Sequence, residues 1–150
     1  IEGLVYQSLS MHILNHKREI NDNHPNTSLL KRELKQIRKI AKKIQKDVSL
    51  PYNLEQLSEE CGLSQAKLQE GFKLLYTRTV TEYIRHARLE AARDLLRNSD
   101  MNVSEVVYTI GFSSRSYFSK IFKNKYKISP SEFKHKIESE NAVEVIAKKI

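Results

Sequence analysis

Two stretches of this chain repeat one another in register. Asn53 and Asn102 are 49 residues apart, as are Gly62 and Gly111, and Leu54, Leu57 and Cys61 recur at the same offset as Val103, Val106 and Ile110. From Ser64 the offset becomes 50: Ser64, Leu68, Phe72, Lys73, Tyr76, Thr79 and Glu82 return as Ser114, Phe118, Phe122, Lys123, Tyr126, Ser129 and Glu132. One residue inserted in the second turn accounts for the change. Order, spacing and residue type shared over this length mark an internal duplication. Any fold must therefore build the same unit twice.

Each unit reads as a capped short helix, a Gly turn and a second capped helix. Asn53 with Gln56, and Asn102 with Glu105, have the spacing of a capping box. Gly62 and Gly111 are placed to take the positive φ that ends the first helix, and Ser64 and Ser114 to cap the second. Phe118 and Phe122 give the latter an apolar stripe, leaving Arg115, Ser116, Ser119, Lys120 and Lys123 largely on the other side. Such a front suits a groove of nucleic acid, and equally an ordinary solvated face. Between the units, Thr79-Val80-Thr81-Glu82 opens a helix running to Asn98. Its expected apolar face is Val80, Tyr83, Ile84, Ala87, Ala91, Leu95 and Leu96. At ~1.5 Å per residue that helix spans about 30 Å, close to the ~34 Å between successive major grooves on one face of B-DNA. With 4 Gly and 3 Pro and few alternating apolar runs, the expected fold is all-α: two helix-turn-helix subdomains joined by a long linker helix.

Charge points the same way. The 26 Lys plus Arg outweigh 18 Asp plus Glu, for a net +8, which favours a polyanionic partner. Much of the excess lies between Leu30 and Val48, where Leu30, Leu34, Ile37, Ala41, Ile44 and Val48 predict one amphipathic face. The other face carries Lys31, Arg32, Lys35, Arg38, Lys39, Lys42, Lys43 and Lys46 against Glu33 and Asp47. It reads as a solvated face or as phosphate contacts. Docking on an acidic protein or membrane surface is a third reading, and the helix lacks the aromatics a membrane-surface helix wants. No run approaches the roughly 18 apolar residues of a membrane span, so no membrane partner is expected.

Other chemistry finds little footing. No phosphate-binding Gly loop, usefully spaced carboxylate pair or metal cluster appears, so neither enzyme activity nor a cofactor is expected. His12 and His16 stand four apart without a third ligand nearby, which fits a solvated face better than a metal site. Cys61 aligns with Ile110 and reads as a buried thiol. A helix is plausible over residues 1–21, followed by a polar break from Asp22 to Ser28. The start at Ile1 rather than Met points to a piece of something longer.

The run Gly111-Phe112-Ser113-Ser114, Ser116-Tyr117-Phe118-Ser119-Lys120, Phe122-Lys123 and Ile128-Ser129-Pro130-Ser131-Glu132-Phe133 resembles the signature of the AraC/XylS family of bacterial transcription regulators. Residues 54–84 resemble that family's more variable first helix-turn-helix, and Arg88-Leu89 with Ala92 its linker helix. The resemblance covers roughly residues 30–137. It implies a seven-helix domain that binds double-stranded promoter DNA in the bacterial cytoplasm, at the nucleoid, and activates or represses transcription. RNA polymerase is then a second partner, and a homodimer through a missing N-terminal domain a further one. The implied organisation is a tail of a sensing or dimerising domain at 1–28 and a DNA-binding domain at 29–137. The latter divides into a first unit at about 53–78, a linker helix at 79–98, a second unit at about 102–128 and a closing helix at 129–137. Residues 138–150 form an extension, where Ile137, Val143, Ile146 and Ile150 could line a helix.

On that resemblance the base-reading candidates are Gln65, Ala66, Gln69 and Glu70 in the first unit and Arg115, Ser116, Ser119 and Lys120 in the second. Ser64, Lys73, Ser114 and Lys123 are the phosphate candidates, and Tyr117 fits rim packing or groove contact. The chain also departs from the family pattern. Ser58 and Val107 stand where Ala is usual, and Val107 is bulky enough to predict a more open second unit. Thr77 and Lys127 stand where Gly commonly ends the recognition helix, so those ends need another cap or an unfavourable positive φ.

Overall fold

The structure is a computed structural model that describes residues 28–147. The expectations for residues 1–27, including the His12/His16 pair, lie outside the described residues. Seven helices and no strand occur among the described residues: α1 Lys31–Lys46, α2 Leu54–Cys61, α3 Gln65–Tyr76, α4 Val80–Asn98, α5 Val103–Thr109, α6 Arg115–Tyr126 and α7 Pro130–Ala147. None of these helices is long and apolar enough to cross a membrane.

The caps form where the sequence puts them, except that the Asn53/Gln56 box closes only from the Asn53 side. The side chains of Asn53, Ser64, Thr79, Asn102 and Ser114 accept from the backbone N–H three residues on, each satisfying one donor of the first helical turn. Glu82, Glu105 and Glu132 reach back to the N–H of Thr79, Asn102 and Ser129, completing three reciprocal boxes. At α1 only half of that device exists. Glu33 accepts from the Leu30 N–H at 2.8 Å, while Leu30 has no acceptor to return and lies exposed rather than on the apolar face. Ile40, not Leu30, joins Ile37, Ala41 and Ile44 in the core.

Both units keep the duplication in three dimensions. Gly62 has φ 68° and Gly111 φ 82° at the matching turns. Phe72 and Phe122 are fully buried, each beside a Tyr four residues on (Tyr76 at 5.4 Å, Tyr126 at 4.6 Å). Each also meets an edge-on ring from the following helix, Tyr83 at 5.1 Å and Phe133 at 5.8 Å. The recognition helices end without glycine: Thr77 (φ 57°) and Lys127 (φ 63°) adopt the left-handed conformation and donate to the carbonyls of Lys73 and Lys123. Val107, larger than the buried Ser58 it matches, is itself fully enclosed.

Two cores result. The first gathers α1, α2, α3 and the start of α4 around Ile37, Ile44, Leu57, Leu68, Phe72 and Val80. The second gathers the end of α4 with α5 and α6 around Leu89, Ala92, Leu96, Val106, Phe118 and Phe122. The linker helix therefore does not bury the single stripe expected of it. Ala87, Ala91 and Leu95 are only partly covered, while Leu89 and Ala92 are buried. At about 100° per residue, the buried positions of its second half lie roughly 150° around the axis from those of its first.

Two more differences stand out. Helix α7 runs on past residue 137 to Ala147, because no Gly or Pro interrupts it after Pro130. Cys61 is half-exposed, with its Sγ 3.4 Å from the Ser58 carbonyl, whereas the matching Ile110 is buried. The loop after α1 accounts for the asymmetry. It lies against the end of α5, with Val48 packed on the second core.

Candidate nucleic-acid interface

Helices α3 and α6 each bury one face and leave the other to solvent. On α3 the core takes Leu68, Gly71, Phe72 and Leu75. Gly71 has a packing reason: a Cβ there would sit 2.0 Å from Ile37 Cδ1, so any other residue would force the Ile37 side chain of α1 to move. The Lys67 ammonium, 2.8 Å from the Glu33 carboxylate, fixes the start of α3 to α1 and holds that carboxyl below its ordinary range.

The exposed front of α3 carries Gln65, Ala66 and Lys73. Gln69 and Glu70 are half-buried and engaged elsewhere. The Gln69 Oε1 accepts from the Val80 N–H at 3.0 Å, satisfying the first turn of α4. Glu70 accepts from the Ser28 N–H and hydroxyl at 3.3 and 3.1 Å. Of the candidates on this helix, the structure thus brings Gln65, Ala66 and Lys73 together at the surface beside the capping Ser64, and turns Gln69 towards the next helix.

On α6 the front is more open. Arg115, Ser116, Lys120 and Lys123 are exposed, with Ser119 half-buried among them. The Arg115 guanidinium donates to the Ser104 hydroxyl of α5 at 3.0 Å, so its head sits beside the helix start. Tyr117 keeps one ring edge against Phe112 at 6.0 Å and stays partly exposed, which allows both of its expected roles. Ser64 and Ser114 are exposed at the two helix starts, each accepting a backbone N–H at 3.2 Å. In charge the fronts differ: the first pairs one Lys with one neutral amide, and the second displays three cations.

A cluster that sequence reasoning missed ties α6 to α4. Burial would raise the Glu90 carboxyl, but it accepts from Lys125 at 2.5 Å and Tyr126 at 2.8 Å and ends below its usual range. Arg93 stands 3.2 Å from the same carboxylate. Lys125 also donates to the His86 Nδ1 at 2.9 Å, which requires that nitrogen to be unprotonated. Burial, helped by the Lys125 charge, pushes the His86 pKa down to about 4. The spacing of His86, Glu90 and Arg93 on one side of α4 was the available signal.

Along α1, Lys31, Arg32, Lys35, Lys39, Lys42 and Lys46 are exposed and make no salt bridge to a described residue, while Lys43 pairs with Glu60 at 2.5 Å. No cluster among the described residues could hold a metal ion.

Two capped helix-turn-helix units flanking one shared helix define a bipartite DNA-binding domain. A family model described as a helix-turn-helix domain matches residues 57–136. The chain is 28% identical to the regulatory protein SoxS of Salmonella typhimurium over 94 residues, which are 63% of this chain and 88% of SoxS. It is 35% identical to histidine kinase P4 of Formosa agariphila over 79 residues, or 53% of this chain and 6% of that protein. Among solved structures, the DNA-binding domain of AdpA in complex with a target DNA aligns with a TM-score of 0.67 over 70% of this chain and 95% of that one. At 19% identity that likeness speaks to the fold alone. The chain belongs to the AraC/XylS family of helix-turn-helix transcription regulators.

Proposed function

We propose that this chain reads a promoter site of two successive major-groove segments on one face of the duplex, with α3 in one and α6 in the other. The observation that carries this is the pair of exposed, serine-capped helix fronts set on either side of the 19-residue α4. At ~1.5 Å per residue α4 spans about 28 Å, close to one groove repeat. Gln65 is the first unit's base reader, beside the small Ala66, and Lys73 its phosphate contact. Gln69 supports the start of α4 instead. In the second unit Ser116, Ser119 and Lys120 face the bases, while Arg115, anchored on Ser104, either reads guanine or grips a phosphate with Ser114 and Lys123. The free lysines of α1 add long-range attraction. As an activator, such a protein has RNA polymerase as its second partner, and a segment preceding the described residues would supply dimerisation. No reaction is assigned to it.

Selection of bound sites from a random DNA pool, followed by footprinting, tests the reading. Two conserved segments about 10 base pairs apart are expected, with affinity falling steeply as salt rises. Lys120→Ala should weaken binding. A footprint with no preference over random DNA would sink the proposal.

A further inference from the structure

The two units touch at a second place besides α4. The loop after α1 reaches across from the first core and rests on the turn of the second unit. Its Ser49 carbonyl occupies the space a Cβ at Gly111 would need, 2.5 Å away. Arg88, at the middle of α4 where the buried face changes sides, grips that loop. Its Nε donates to the Val48 carbonyl at 2.8 Å and an Nη to the Leu50 carbonyl at 2.9 Å. The same guanidinium lies over the Phe112 ring, 5.5 Å from its centre, two residues before the Ser114 cap. The loop is itself braced. The Asp47 carboxylate accepts from the Ser49 N–H and hydroxyl at 3.0 and 2.6 Å, and the Tyr52 hydroxyl donates to the Asp47 carbonyl at 2.6 Å.

A single helix fixes the distance between two bodies better than it fixes their relative twist and tilt. A second contact, away from the helix axis, removes that freedom. We infer that Arg88 is a positioning residue that locks the loop onto Gly111–Phe112 and so sets which spacing between the two DNA segments the protein accepts. This rests on the two-reader proposal above. One base pair of DNA turns about 34° about the helix axis, so a locked pair fits one spacing and a loosened pair tolerates its neighbours. Arg88 need not touch DNA for this. Its planar fork reaches two carbonyls at once, which a lysine cannot copy.

The test measures binding of the 150-residue chain to its selected site and to versions with one base pair inserted or deleted between the segments. The wild type should lose about tenfold or more on either change, the worth of one or two base contacts. Arg88→Ala should shrink that penalty to a few-fold while leaving base preferences inside each segment unchanged. Arg88→Lys should fall between. Asp47→Ala, at an exposed position outside both cores, should move the penalty in the same direction and decides the matter if Arg88→Ala fails to fold. A spacing penalty equal to wild type in the folded variants overturns the inference, as does an equal loss of affinity at every spacing. A wild type indifferent to spacing overturns the two-reader proposal itself, and the inference with it.

Discussion

Gly71 and Ile37 stand so close that a methyl group on the glycine would lie 2.0 Å from Ile37 Cδ1 and 3.2 Å from its Cγ1. Ile37 is fully buried, so its side chain has nowhere free to swing. Gly71→Ala should therefore destabilise the chain by about 1–3 kcal/mol, although alanine is the better helix former. Ile37→Val removes the clashing carbon, and the double variant should recover much of the loss. Denaturant unfolding of the four proteins measures the coupling. Simple additivity would mean the contact does not control the substitution.

Gln69 offers a second case, because its amide sits at the start of α4. Gln69→Ala leaves the Val80 N–H without its partner and should cost about 1 kcal/mol of stability. Base preference in the first DNA segment should stay as it was. A changed preference with unchanged stability would return Gln69 to the reading surface.

Thr77 and Lys127 hold left-handed backbone without being glycine. That conformation costs an ordinary residue roughly 1–2 kcal/mol, and the extra freedom of glycine in the unfolded chain returns part of it. Thr77→Gly and Lys127→Gly should each stabilise by roughly 0.5–1 kcal/mol. The sites lie in different units, so the gains should add. Thermal melts of the single and double variants give the answer.

His86 makes stability depend on pH. Its pKa falls from an ordinary 6.5 to about 4 in the folded chain. Between those values the unfolded chain binds more protons, so stability declines as pH drops through that window. Arg78, Arg93 and Lys125 face the ring as cations and Glu90 as an anion, and the net effect is unchanged in sign. His86→Gln should flatten the melting temperature between pH 6.5 and about 4 relative to wild type. A parallel decline in both proteins would assign the effect to other groups.

What the sequence made legible was local. Caps, turn glycines and the repeated Phe-Tyr pairs depend on neighbours a few residues away, and they appear where the spacing places them. Contacts between elements were not legible in this way. Spacing alone predicts one stripe along α4, but the helix serves two cores on nearly opposite sides, so Leu89 and Ala92 lie outside that stripe. Gln69 looked like part of a front because helical spacing cannot show that Val80 N–H lies in reach. Gly111 is legible as a turn residue, while its closeness to Ser49 depends on a loop some sixty residues earlier.

The way α4 divides its buried residues has a practical corollary for anyone wishing to isolate one reader. Val80, Tyr83 and Ile84 complete the first core, and Leu89, Ala92 and Leu96 the second. A cut within α4 strands one half of the helix without the support of the other, and a cut at either end strips three buried side chains from one core. The duplicated unit thus has no seam in the present molecule. A working half would have to carry its own copy of the shared helix.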